Sequence, residues 1–113
     1  MLFRSLRDLV VGGNALTGTL PVAFGTLTNL HHLDLGKNNF EGFIPISWNE
    51  LKQLRHFGVA HNALRGTFPE FLKMTRLTGL VLENNHFEGT LPESLGYLTD
   101  LCKFPGARAQ YSR

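Results

Sequence analysis

A chain of 113 residues, 42% of them hydrophobic, amounts to one domain or a piece of one. Its formal charge of +2 hides an even body: residues 1–102 hold 8 Lys+Arg and 9 Asp+Glu, and the excess sits on Lys103, Arg108 and Arg113. No basic stripe is therefore expected for nucleic acid, the lone Cys102 excludes an internal disulfide framework, and no apolar run approaches the roughly 20 residues of a membrane span.

Taken in order, residues 1–5 precede any repeating register, with Met1, Leu2 and Phe3 as the remnant of an earlier unit or an N-terminal edge. Arg4, Arg7 and Asp8 interrupt this start, which does not read as a signal peptide. From Leu6 the chain repeats itself: Leu6, Leu30, Leu54 and Leu77 stand in register at spacings of 24, 24 and 23 residues. Four units result, at 6–29, 30–53, 54–76 and 77–100. The third is one residue short after Leu72, and flexible Met74 is expected in the slot of Leu27, Leu51 and Leu98. A fifth unit opens at Leu101 and fails, because Gly106 replaces an apolar residue and Ala109 an Asn. Residues 102–113 are expected to be a frayed tail.

Each column of the repeat has a physical reason. Leu9/Leu33/Phe57/Leu80 and Val11/Leu35/Val59/Leu82 are two residues apart, as in a strand that buries one face. Asn14, Asn38, Asn62 and Asn85 follow three residues later, where the chain leaves the strand. Their amides can satisfy backbone groups opened by the turn and stack as an internal ladder. Gly18/Gly42/Gly66/Gly89 then give freedom to bend, and Pro21/Pro45/Pro69/Pro92 start the return leg. Phe24, Trp48 and Leu95 share a return-leg column that reads as a core spine rather than a ligand site.

The line LxxLxLxxNxLxGxxP, as in LHHLDLGKNNFEGFIP from Leu30 to Pro45, resembles the plant-type leucine-rich repeat. The resemblance covers about residues 6–101. It implies a right-handed α/β-type solenoid, with a short parallel sheet on the concave face and 3₁₀ or short helical turns on the convex side. It also implies the ectodomains of receptor-like kinases and receptor-like proteins, extracellular or at the plasma membrane in a longer parent, or else inhibitors of polygalacturonases. Two departures stand out: the cysteine-rich caps of secreted relatives are missing, and so is any N-x-Ser/Thr sequon. Ends without polar caps suggest a fragment of a longer array that can self-associate.

Residues between the buried strand positions face outward. By column they are Arg7/His31/Arg55/Thr78, Asp8/His32/His56/Gly79, Val10/Asp34/Gly58/Val81, Gly12/Gly36/Ala60/Glu83 and Gly13/Lys37/His61/Asn84. Four of the five histidines lie here, with His32 and His56 adjacent across strands. The expected ligand-binding surface is Arg7, His31, His32, Asp34, Lys37, Arg55, His56, His61 and Glu83, whose partner would be a protein or peptide. An exposed sheet face that merely tolerates imidazoles is the plainer reading. The histidines could make the patch pH-responsive. No metal is expected, since no Cys and no carboxylate at ligand spacing accompanies the pair. Catalysis is not expected either: Asp34 offers an acid near a base, but no Ser or Cys nucleophile occupies an outward column, and no phosphate-binding glycine motif is present. No cofactor is called for. The sequence reading is thus a protein- or peptide-binding module, with a hydrolase inhibitor or a functionless repeat fragment as alternatives.

Overall fold

The computed structural model describes residues 5–67 and 74–88. Met1, Leu2, Phe3, Pro69, Leu72, Leu95, Cys102 and the tail therefore lie outside the described residues, as do the expectations placed on them.

Among the described residues the alternating columns form strands β1 (Asp8–Val10), β3 (His32–Asp34), β5 (His56–Gly58) and β7 (Gly79–Val81). They pair in parallel in the order β1-β3-β5-β7. Register follows the repeat column by column: Leu9 faces Leu33, Leu33 faces Phe57, and Phe57 faces Leu80. Those side chains, with Leu35, Val59 and Leu82, form the inner wall of the core, while Val10, Asp34 and Val81 between them stay exposed or half-buried and only Gly58 is covered. The alternation thus does what period-2 patterning requires of a sheet wetted on one side.

A second parallel sheet was not legible in the repeat. It comprises β2 (Thr17–Thr19), β4 (Asn39–Gly42), β6 (Ala63–Gly66) and β8 (His86–Phe87), in the order β2-β4-β6-β8. The sequence reading takes these residues for a bend. They do alternate, with Phe40, Leu64 and Phe87 buried between exposed neighbours, but over too few residues to stand out. The bend is there as well: Gly42 and Gly66 end their strands and Gly18 sits at the middle of β2, at φ of 89°, 85° and 92°, a left-handed conformation costly for any residue with a Cβ.

After Pro21 and Pro45 the chain returns through 3₁₀ helices at Val22–Thr26 and Ile46–Glu50. The Phe24/Trp48 column is core, as expected. Trp48 is fully buried, stacks on Phe24 at 6.1 Å between centroids and meets Phe57 edge-on at 5.9 Å. Its indole Nε1–H donates to Pro21 O at 3.0 Å, so the polar end is satisfied. Met74 is also fully buried, and Leu77 N donates to Met74 O just as Leu30 N does to Leu27 O and Leu54 N to Leu51 O. The one-residue deletion is thereby absorbed without loss of the turn. The result is a right-handed α/β-type solenoid with the first sheet on its concave side and 3₁₀ turns on its convex side.

Candidate ligand-binding face

The Asn column sets the geometry at the rim of the first sheet. Asn38 Oδ1 accepts from Asn14 N (3.1 Å) and Leu16 N (2.9 Å) of the preceding unit. Its Nδ2 donates to Val11, Leu35 and Gly36 carbonyls at 3.0–3.2 Å. Asn62 and Asn85 repeat the pattern: Oδ1 accepts from Phe40 N and Leu64 N, and Nδ2 donates both to its own turn and to the unit before. Each amide bridges two units, which ties strand register to turn position. Asn14 differs: it is exposed, and its Nδ2 bonds only within its own turn, to Val11 and Gly12 carbonyls.

On the outward face the expected residues fall into separate neighbourhoods. Arg7 and His31 line a dent of about 300 Å³ with Ser5 and Asn29, and His31 Nδ1 lies 2.9 Å from Asn29 O. Arg55 is exposed, and its backbone carbonyl accepts from the Thr78 hydroxyl at 3.0 Å. At the opposite rim a groove of about 510 Å³ runs from Gly12 and Gly13 past Asp34, Lys37 and His61 to Glu83. Its floor at Gly12, Gly36 and Ala60 carries almost no side chain.

Three of the five outward columns are not strand positions, which corrects the sequence expectation: Arg7, His31, Arg55 and Thr78 stand just before the strands, and the last two columns lie past their ends. The strands end at Val10, Asp34, Gly58 and Val81. Beyond them Gly13, Lys37, His61 and Asn84 adopt φ of 74°, 57°, 59° and 61°. Lys37 and His61 therefore sit in left-handed turns that aim them along the rim. Backbone pairing nonetheless continues through the turn, with Gly13 N on Gly36 O, Lys37 N on Ala60 O and His61 N on Glu83 O. Asn84 Nδ2 reaches His61 Nδ1 at 3.0 Å. Glu83 Oε1 is buried without a hydrogen-bond partner among the described residues.

Between dent and groove lies the tightest cluster. His32 and His56 are cross-strand partners with ring centroids 4.4 Å apart, and Asp34 follows His32 by one strand repeat on the same face. Their ligand-type atoms lie within 4.8 Å of one another. Sequence spacing therefore misled in discounting a carboxylate: Asp34 is separated from His56 along the chain but not across the ladder. Asp34 Oδ1 also accepts Gly36 N–H at 2.9 Å, which fixes the carboxylate. Burial holds the His56 imidazole below the usual histidine range; nearby His32 adds to the effect and Asp34 opposes it. Sequence reasoning also missed the glycines flanking this cluster. A Cβ at Gly58 would lie 3.3 Å from both Asp34 Oδ1 and His56 Nε2, and one at Gly79 would lie 2.9 Å from His56 Nδ1.

Stacked parallel strands, an asparagine ladder and an open sheet face define a solenoid repeat protein. The chain belongs to the leucine rich repeat family: the family described as "Leucine rich repeat" matches residues 4–64, and a second "Leucine Rich Repeat" profile matches residues 76–98. Among solved structures it is similar to the plant peptide hormone receptor RGFR1 in complex with RGF2, at TM-score 0.83 and 32% identity over 87% of this chain and 16% of that one. It is likewise similar to the ectodomain of the Arabidopsis thaliana membrane receptor kinase GASSHO1/SCHENGEN3 in complex with CASPARIAN STRIP INTEGRITY FACTOR 2, at 0.82 and 30% over 85% and 12%. A third, the Arabidopsis thaliana BIR3–SERK2 complex, matches at 0.77 and 28% over 82% and 50%. The chain thus spans about one sixth or less of the first two receptors. No curated protein matches it. No helix among the described residues is long and apolar enough to cross a membrane.

Proposed function

We propose that this chain is a protein- or peptide-binding module of a longer receptor-like protein, acting on the extracellular side and without catalysis of its own. The ligand lies across the first sheet's outward face, contacting the groove lined by Asp34, Lys37, His61 and Glu83. Arg7, His31, Arg55, His32 and His56 flank its path. The observation that carries this reading is Glu83 Oε1, buried in the groove without a hydrogen-bond partner among the described residues. A buried acceptor left unpaired costs about 1–3 kcal/mol, and a donor brought by a ligand would recover that cost. The glycine and alanine floor supports the same reading, because an extended backbone can approach it closely.

Support from relatives is at the level of class. The three structures named above are receptors or receptor complexes, two of them in complex with RGF2 or CASPARIAN STRIP INTEGRITY FACTOR 2. A displayed library of extended peptides, selected on this chain, tests the proposal. Recovered peptides should lose at least about tenfold in affinity on Glu83→Ala. They should lose as much on Val81→Trp, which fills the groove, and nothing on Ile46→Asp on the convex side. Peptides that bind all three variants as well as the parent would remove the groove from the account.

A further inference from the structure

We propose that His32, Asp34 and His56 form a binding site for a divalent transition-metal ion of the zinc class, open on the concave face. The inference rests on the cluster alone and stands whether or not a peptide binds the groove. Two imidazoles and one carboxylate are a donor set suited to zinc, and to copper or nickel as competitors. Bond lengths of about 2.0–2.2 Å to zinc place tetrahedral ligand atoms about 3.3 Å apart. The three donors here already lie within 4.8 Å of each other, on half-buried side chains that can close the difference by small rotations.

The backbone makes the arrangement specific. His32 and His56 face each other in the β3–β5 ladder, and Asp34 shares their face because it lies two residues from His32. The next position in that register, across from Asp34, is Gly58, and the one beyond His56 is Gly79. Neither adds a side chain to the space beside the donors. A methyl group at Gly58 would touch both Asp34 Oδ1 and His56 Nε2, so the glycine keeps the corner between them clear. Asp34 is oriented by the Gly36 N–H, the kind of outer-shell bond that holds a ligating carboxylate in place. With three protein donors among the described residues, the fourth position faces solvent, as in open zinc sites.

Isothermal titration of the full chain with zinc chloride, followed by thermal unfolding with and without the ion, tests the assignment. One ion per chain should bind saturably and raise the melting temperature. His32→Ala, His56→Ala and Asp34→Asn should each weaken binding by at least about tenfold. Asp34→Asn is the decisive variant, since its amide oxygen can still accept the Gly36 N–H and the fold is retained; circular dichroism checks this. Gly58→Ala should also weaken binding, by crowding two donors at once. His86→Ala, an exposed histidine on β8, should leave it unchanged. Binding that survives Asp34→Asn undiminished, that falls equally with His86→Ala, or that settles at one ion per two chains would overturn the proposal.

Discussion

The first unit and its interior neighbours carry the same columns yet are built differently. Leu33 and Leu64 are fully buried, while their counterparts Leu9 and Leu16 are half-buried and 40% exposed. Asn38 is buried with five hydrogen bonds that span two units; Asn14 is exposed with side-chain bonds confined to its own turn. Nothing local explains this, because the residues are the same or similar. The difference is the neighbour. An interior unit is packed from both sides, and in a solenoid most stability resides in those interfaces.

The comparison is broken most severely at the core. Leu33→Ala removes a side chain packed between two units, and a cost of about 2–5 kcal/mol is expected from lost burial plus the cavity. Leu9→Ala, at the edge of the same ladder, should cost about half as much or less, since less apolar area leaves contact. Chemical denaturation of both variants measures the gap; equal midpoints would mean that the edge unit is as well packed as the interior.

Next comes the ladder. Asn38→Ala strands the Asn14 and Leu16 N–H groups and takes one donor from each of three carbonyls that keep another, for about 1–3 kcal/mol. Asn14→Ala and Asn39→Ala should each stay within about 0.5 kcal/mol, as both side chains are exposed. Matching midpoints for Asn38→Ala and Asn39→Ala would sink the idea that the column carries stability.

How much of this was legible follows from what a repeat can encode. The period, the buried columns, the Trp48 spine and the Met74 substitution are all one-dimensional patterns, and the sequence carries them in full. The second sheet escaped because its strands alternate for only two to four residues, and three of them contain the same Gly that reads as a bend. The Lys37 turn escaped because lysine is not a usual left-handed former, although Gly13, His61 and Asn84 in its column are of types found there more often. The His32–His56 adjacency, with Asp34 near both, was visible from register, whereas the ligand-type spacing of all three required side-chain geometry.

That left-handed column sharpens the comparison between units at smaller cost. Lys37 holds φ of 57° where the fourth unit has Asn84 at 61°. Lys37→Asn should stabilise the chain by about 0.5 kcal/mol, because Asn tolerates this conformation better, whereas Lys37→Val should lose about 1–2 kcal/mol. Thermal unfolding of the pair, with the sign of each shift, decides whether the turn or the charge matters at this position.

The smallest expected effect concerns His56, which sits inside the stack where burial, then His32, hold its pKa below the ordinary value of about 6.5, against the pull of Asp34. A depressed pKa means that the folded chain takes up its proton later than the unfolded chain as pH falls. Between the folded value and 6.5 the unfolded state binds more protons, so stability there rises with pH. The contribution is intact above about pH 6.5, is lost progressively as pH falls through the folded value, and changes no further below it. Measured in a chelator, so that no metal competes for the imidazole, His56→Gln should flatten this segment of the stability–pH curve relative to the parent. Asp34→Asn should extend it to lower pH, because removing the one influence that raises the His56 pKa leaves burial and His32 unopposed. A parent curve that is flat from pH 7 to pH 5, or an Asp34→Asn curve that retreats to higher pH, would contradict the burial account of this histidine.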